Sequence, residues 1–372
     1  MLQVEDRQSE MNIKLKIDLL CEEETYFYIR YSSRIGMIKK PTVFILGAGA
    51  SIPYAYPSGE SLVKEIVNDL SRPGSLFYSL CRELGFTEPH ILEFASTLDR
   101  SHDKSIDAFL QRNKSFIKLG KVAITLKLLV HEDETVLFSP GDDKWYRDLV
   151  SELKSPSLDT FDNAVAFLTF NYDRSFEHYL YVSIQNSYEE LKRSPGQCDK
   201  LVNRIPIIHL HGQIGRLPWQ DNTGTRRDYG SSFKELDLLK RSIESRNDVF
   251  SAATLDEAKH YIFSLSEQIK IIHGKELDSD FEEANKLLTN ARNIYFLGFG
   301  YHDENLRRLD LSALPPISQD LDQMYEVNID GTAYGIGAAK RRHVETITNG
   351  KIKMSDKNYK VKEFLKQNVD FE

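Results

Sequence analysis

Apolar residues along this chain fall into two patterns. Short unbroken runs recur at Val43–Leu46 within PTVFILGAGASIPYAYPSG, in AVAFLTFNYD from Ala164 to Asp173, in IPIIHLHG from Ile205 to Gly212, in IYFLGFGYHDEN from Ile294 to Asn305, and in MYEVNI from Met324 to Ile329. Runs of this length without alternation predict parallel strands covered on both faces. Between them the apolar positions recur with helical spacing, over Ser61–Leu70, Ser75–Leu98, Ile106–Val130, Lys144–Leu153, Leu255–Gly274, Ser279–Arg292 and a last helix through Ile347. Strands alternating with helices predict an α/β fold: a Rossmann-like parallel sheet with helices on both faces and an inserted helical subdomain.

Boundaries follow from the same pattern. Residues 1–40 are charged and irregular, with KLKIDLL and TYFYIRY as short elements, and form an N-terminal extension that serves as an oligomer or partner arm or packs on the sheet edge. Residues 41–74 and 155–348 carry the strands, 75–154 are the helical insertion, and 349–372 read as a polar C-terminal tail. An insertion of this kind covers a crevice and gates access to it. A second insertion, Arg216–Ser251, is polar and glycine-containing and reads as a flexible loop. Its Trp219 and Tyr229 either stack on a ligand ring or, the commoner use, anchor the loop to the core.

Each strand ends in polar or glycine residues, and the carboxyl edge of a parallel sheet is where open α/β folds bind ligands. Gly47 and Gly49 let the chain turn tightly after the first strand, and backbone N–H groups with a helix N-terminus would form an anion site there. The usual dinucleotide fingerprint lacks its third glycine and its acidic residue about 20 positions on. Asn171 is either a site residue or the cap of a helix starting near Tyr172. His209 and His211 lie two apart on one strand and face the same way, and the Gly212 that follows favours His211. Ser51 is a phosphate ligand or a turn cap. Asp303 caps the NLRRLDL helix or, with His302 and Asn305, contacts a ribose. Asp107 in SIDAFL reads as a carboxylate in a first helical turn, favoured by the helix dipole. Lys340, Arg341 and Arg342 read as a solvated helix face rather than a phosphate contact.

Taken together, these segments resemble the sirtuins, and more closely the sirtuin-like NADases of bacterial anti-phage defence. GAGAS at Gly47–Ser51, including Ala48, is similar to the sirtuin turn that cradles the NAD pyrophosphate. Asn171 and Asp173 are similar to the Asn-x-Asp pair beside the nicotinamide riboside, preceded here by Thr169. His211 is similar to the catalytic histidine, Gly298 and Gly300 to the later glycine turn at the ribose, Asn328 to a strand-end asparagine near the adenosine, and the Ser-Ile-Asp of SIDAFL to segments of the bacterial relatives, with Asp107 left outside the catalytic set. The resemblance implies Asn171, His211 and Asp173 as catalytic residues, Gly47, Ala48, Gly49, Ser51, Thr169, Gly298, Gly300 and Asn328 as substrate-binding residues, and 41–74 with 155–348 as the NAD-binding catalytic domain. It implies an NAD+ glycohydrolase controlled by homo-oligomerisation or by a partner such as a HerA-like hexameric ATPase. The competing readings are a deacylase or ADP-ribosyltransferase and a non-catalytic nucleotide-binding module.

The departures narrow that set. Sirtuin deacylases carry a four-cysteine zinc module, whereas this chain has three scattered cysteines, Cys21, Cys81 and Cys198, so no zinc and no cofactor beyond NAD as substrate are expected. With 56 acidic and 48 basic residues the net charge is -8 and there is no long basic run, which argues against nucleic-acid binding. No apolar run reaches transmembrane length and no cleavable leader is evident, so a cytoplasmic enzyme with reduced thiols is expected.

Overall fold

The computed structural model describes residues 38–220, 223–230, 233–244, 251–272, 279–311, 314, 327–354 and 357–371. Its centre is one parallel sheet of β1 (Thr42–Leu46), β2 (Val165–Thr169), β3 (Ile207–His209), β4 (Asn293–Leu297), β5 (Asn328–Gly331) and β6 (Lys353–Met354), in the order β3-β2-β1-β4-β5-β6. That is the strand order of doubly wound nucleotide-binding sheets, in which the direction of winding reverses between β1 and β4. The α/β, Rossmann-like fold is therefore as the strand pattern predicts.

The apolar runs explain the layers. Along β1, β2 and β4 every second residue points one way: Phe44, Leu46, Val165, Phe167, Tyr295 and Leu297 enter one core, while Val43, Ile45, Ala166, Leu168, Ile294 and Phe296 enter the other. All ten residues of β1 and β2 are buried, which is why their sequences show no polar alternation. Helices 279–289, 303–308 and 338–347 supply Phe281, Leu306 and Val344 to the second, thinner core. The first core holds the helices between β1 and β2 and the helix Ser175–Ser187.

The insertion comprises five helices of 76–83, 88–101, 106–112, 117–129 and 146–153 with a short 134–138 turn of helix between the last two. It is bolted to the turn after β1. The Trp145 indole N–H donates to the Ala50 carbonyl at 2.9 Å, and the Tyr54 hydroxyl accepts the backbone N–H groups of Trp145 and Tyr146 at 2.9 and 2.6 Å. The Tyr54 and Tyr146 rings stack 3.7 Å apart.

Three expectations change. Residues 349–372 are not a loose tail: β6 extends the sheet, and helix Val361–Asn368 buries Val361, Phe364 and Leu365, an i, i+3, i+4 stripe hidden among lysines. The Arg216–Ser251 loop contains a helix, Phe233–Glu244, whose Leu236 and Leu239 are buried. Asn328 begins β5, opposite Asn293 at the start of β4, so it lies on the amino edge of the sheet rather than at a strand end. The short elements expected in KLKIDLL and TYFYIRY lie outside the described residues.

Candidate active site

The carboxyl ends of β1 and β4 meet backbone to backbone. A Cβ at Gly47 or Gly49 would come within 2.7 Å of the Gly298 carbonyl oxygen, and one at Gly298, whose φ is +58°, within 2.1 Å of the Ala50 nitrogen. The N–H groups of Gly47 and Gly49 donate to the carbonyls of Leu297 and Gly298, and those of Ala50 and Ser51 to Gly47 and Ala48. These glycines are thus required first for close packing of two turns, and the anion site expected from their N–H groups is largely used internally. The helix expected to start there begins only at Gly59, capped by Ser58, because two short 3-10 turns with Pro53 and a left-handed Ala55 intervene.

The segment after β2 is pinned to that turn. The Asn171 amide N–H2 donates to the Gly47 carbonyl at 3.0 Å and to Ser51 Oγ at 3.1 Å, while its backbone N–H donates to Thr169 Oγ1 at 3.0 Å. Ser51 Oγ in turn donates to Asp173 Oδ2 at 2.9 Å. Asp173 Oδ1 accepts both the N–H and the hydroxyl of Ser175 at the start of the helix Ser175–Ser187, whose cap position is Arg174, so Asn171 is not its cap. Burial pushes the Asp173 carboxyl up from its ordinary value, against the lowering effect of the serine donors. Asn171 Oδ1 is buried and has no partner.

The two histidines have different surroundings. His209 places Nδ1 2.8 Å from the Asn171 carbonyl and Nε2 against the Glu177 carboxylate, which Arg174 also pairs at 3.0 Å. Burial alone would raise Glu177, yet Arg174 and His209 hold it down at about 2. Every ring nitrogen of His209 is therefore occupied by structure. His211, 5 % exposed, faces Asp107 Oδ1 with Nδ1 at 3.6 Å, and its Nε2 is buried without a partner. Phe170 packs edge-on against its ring at 5.3 Å. Gly212, with φ of +72°, follows because a Cβ would meet the Gln268 carbonyl at 2.1 Å.

The loop after His211 is clamped from two sides. Arg174 donates to the Gly215 carbonyl at 2.7 Å and to Gln220 Oε1 at 2.6 Å, and Arg227 forms a two-pronged, fully buried pair with Glu132 of the insertion. Trp219 stacks on Tyr181 at 5.1 Å, and Tyr229 stacks on His178 at 4.4 Å while its hydroxyl meets that of Tyr56 at 2.9 Å, so both aromatics are anchors.

Residues 165–314 match a SIR2-like domain. The match supports a sirtuin-like family for the chain. No curated protein matches it. Within the SIR2-like stretch lie Thr169, Asn171, Asp173, His211, Gly298 and Gly300; the Gly47–Ser51 turn and Asp107 lie outside it and reach it through the contacts above.

On the far side of the crevice the SIR2-like core meets β5. Thr332, just past β5, accepts the Gly298 N–H on Oγ1 at 2.9 Å. It occupies the strand-end position that sequence reasoning gave to Asn328, whose amide meets Tyr295 Oη at 3.3 Å instead. Gly300 and His302 are exposed at the mouth. Partial desolvation, with Lys340 nearby, pushes the His302 imidazole down, while Asp107 opposes the shift. Asp303 makes no cap: it pairs with Lys340 at 3.1 Å and His343 at 2.8 Å, so Lys340 is tied to the crevice rather than free on a solvated face. Asp107, read from sequence as a dipole carboxylate, does sit in a first helical turn, but its carboxylate also takes the Tyr172 hydroxyl and faces His211. Its spacing from His211 in the chain hid that contact. Among the described residues no group of three His, Cys, Asp or Glu side chains could hold a metal ion, and no helix is long and apolar enough to cross a membrane.

Proposed function

We propose that the chain is an NAD+ glycohydrolase that cleaves the nicotinamide–ribose bond. The observation that carries this reading is the pair of buried acceptors without partners, Asn171 Oδ1 and His211 Nε2, on neighbouring strand ends of a SIR2-like domain. An unpaired buried polar atom costs about 1–3 kcal/mol, so two of them just past neighbouring strands fit a site whose missing partner is a ligand.

The chemistry asks for little more. Nicotinamide leaves a cationic pyridinium as a neutral molecule with the electron pair of the broken C–N bond, so no general acid is needed, and the sugar passes through an oxocarbenium-like transition state. Asn171, fixed through its amide N–H2 by Gly47 and Ser51, presents Oδ1 to a water or a ribose hydroxyl and so lowers the entropic barrier to attack. His211 accepts the proton at Nε2 as the water oxygen bonds to the anomeric carbon. NAD+ and water give nicotinamide, ADP-ribose and a proton. Asp173 acts through Ser51 and Ser175 and not by contact with substrate. Gly47, Ala48, Gly49, Ser51, Thr169, Gly298 and Gly300 shape the walls for the rest of the dinucleotide; Asn328, on the opposite edge, does not.

The resemblance to defence NADases supports a NAD-depleting effector of bacterial anti-phage immunity, cytoplasmic, and held in check by self-association or by a partner such as a HerA-like ATPase. No zinc or further cofactor enters the reaction.

Nicotinamide release from NAD+ by the purified protein, alone and with the products of neighbouring genes, tests the activity. Asn171→Ala and His211→Ala should abolish release with folding intact. Release by wild type that persists in both variants would remove the site; no release under any condition would favour a nucleotide-binding module.

A further inference from the structure

We propose that Asp107, supplied by the helical insertion, is a positioning residue that orients His211 for proton transfer. The proposal rests on the glycohydrolase reading and adds a member to its site from outside the SIR2-like stretch.

Three observations converge on this carboxylate. Asp107 Oδ1 lies 3.6 Å from His211 Nδ1, and both side chains are largely buried, 19 % and 6 % exposed. The same carboxylate accepts the hydroxyl of Tyr172, the residue between Asn171 and Asp173, and Ser105 Oγ donates to Oδ2 at 3.4 Å. Finally, the opposite ring nitrogen of His211 is the one left without a partner. A neutral imidazole carries one proton, and a carboxylate facing Nδ1 keeps that proton there and the lone pair on Nε2. The nitrogen needed as a base is thereby the one that is free.

The separation of 3.6 Å exceeds a hydrogen bond, and such contacts tighten when substrate fills the site. Tyr172 and Ser105 hold the carboxylate in place meanwhile, and Phe170 limits the ring's rotation. As water adds its oxygen to the anomeric carbon and nicotinamide departs, its proton moves to Nε2, and the imidazolium so formed lies beside the Asp107 charge. The proton then returns to solvent. The other titratable groups at this pair are Tyr172, which bonds the Asp107 carboxylate, and His302, which feels its charge. The insertion is accordingly part of the machine and not only its cover.

The test compares nicotinamide release by wild type, Asp107→Asn, Tyr172→Phe, His211→Ala and the Asp107→Asn/His211→Ala double variant. Asp107→Asn should lower kcat on the order of 100-fold with KM little changed, because the imidazole is then no longer held in its productive orientation. Tyr172→Phe should lower kcat by a smaller factor, on the order of 5-fold, again without raising KM. The double variant should be no slower than His211→Ala alone. Wild-type kcat in Asp107→Asn, or a loss of activity there that comes entirely from a raised KM, would overturn the proposal. Should Asp107→Asn not fold, Tyr172→Phe decides, and wild-type kcat in that variant overturns it. The two readings separate at His211→Ala: if it still releases nicotinamide the glycohydrolase site itself is wrong, whereas loss there with full activity in Asp107→Asn removes only the positioning role.

Discussion

On the β2–β3 side, Asn171 and His211 keep buried polar atoms unpaired, while on the β1–β4 side the N–H groups of Gly47, Gly49, Ala50 and Ser51 are all taken by backbone carbonyls, two of them those of Leu297 and Gly298. Side chains do the work on one side and backbone on the other. The difference is most compact in two histidines of one strand end: His209, with both nitrogens engaged by Asn171 and Glu177, and His211, with one nitrogen open. A polar atom that is fully paired holds structure, and on the proposed reading one left bare at a strand end takes a ligand.

The sharpest way to break that comparison is to delete each histidine in turn. His209→Ala removes one partner of Glu177 and the brace on the Asn171 carbonyl, in a site with 0–2 % exposure of Arg174 and Glu177, so it should cost about 3–5 kcal/mol in urea unfolding. His211→Ala removes a group whose Nε2 has no partner and should cost far less, with loss of turnover. Equal destabilisation by the two would mean that His211 is a core residue like its neighbour.

Next in size is the backbone side. Gly298→Ala forces a Cβ into the Ala50 nitrogen at a left-handed φ and should destabilise the protein by about 3 kcal/mol or more. It should also disturb binding on both flanks of the turn. A Gly298→Ala protein of wild-type stability would show that the two turns are not locked together.

Acid separates the two sides by charge. Glu177 is held at about 2, below its unfolded value of 4.5, so the stability it contributes is complete above pH 4.5 and disappears as pH falls toward 2, on the order of 3 kcal/mol in all. Asp173 has the opposite sign: its carboxyl is raised by burial, so its ionised form is disfavoured in the fold and its contribution improves as pH falls. Wild type should therefore lose stability between about pH 4.5 and 2, and Glu177→Gln should flatten that slope; an unchanged slope would remove the pair as its source.

What could be read from the sequence followed the range of each interaction. The strands and the Asn171 and His211 positions were visible because an apolar run and the polar residue ending it are adjacent in the chain. Asn328 lies near the end of the apolar run MYEVNI, yet pairing with Asn293 makes it the first residue of β5. The C-terminal helix is hard to see because Val361, Phe364 and Leu365 are few among lysines and find their core against the distant helix 146–153 and Tyr295. Asp107, although its segment is similar to ones in the bacterial relatives, stays outside the catalytic set on sequence because its partners lie 65 residues away at Tyr172 and further still at His211, and no local pattern encodes such a meeting.

The smallest expected effect tests whether the side-chain side depends on its backbone. Thr169→Val keeps the shape of the side chain but strands the Asn171 N–H, which donates to Oγ1 at 3.0 Å, so it should cost about 1 kcal/mol of stability. If Asn171 is a catalytic side chain held by its own backbone, the same change should cost more in turnover than in stability, on the order of 10-fold in kcat, since small displacements of a positioned group are expensive. Thr169→Ser restores the acceptor and should restore both. A Thr169→Val protein that loses stability but keeps full kcat would place the bond in the fold alone and leave Asn171 oriented entirely by Gly47 and Ser51.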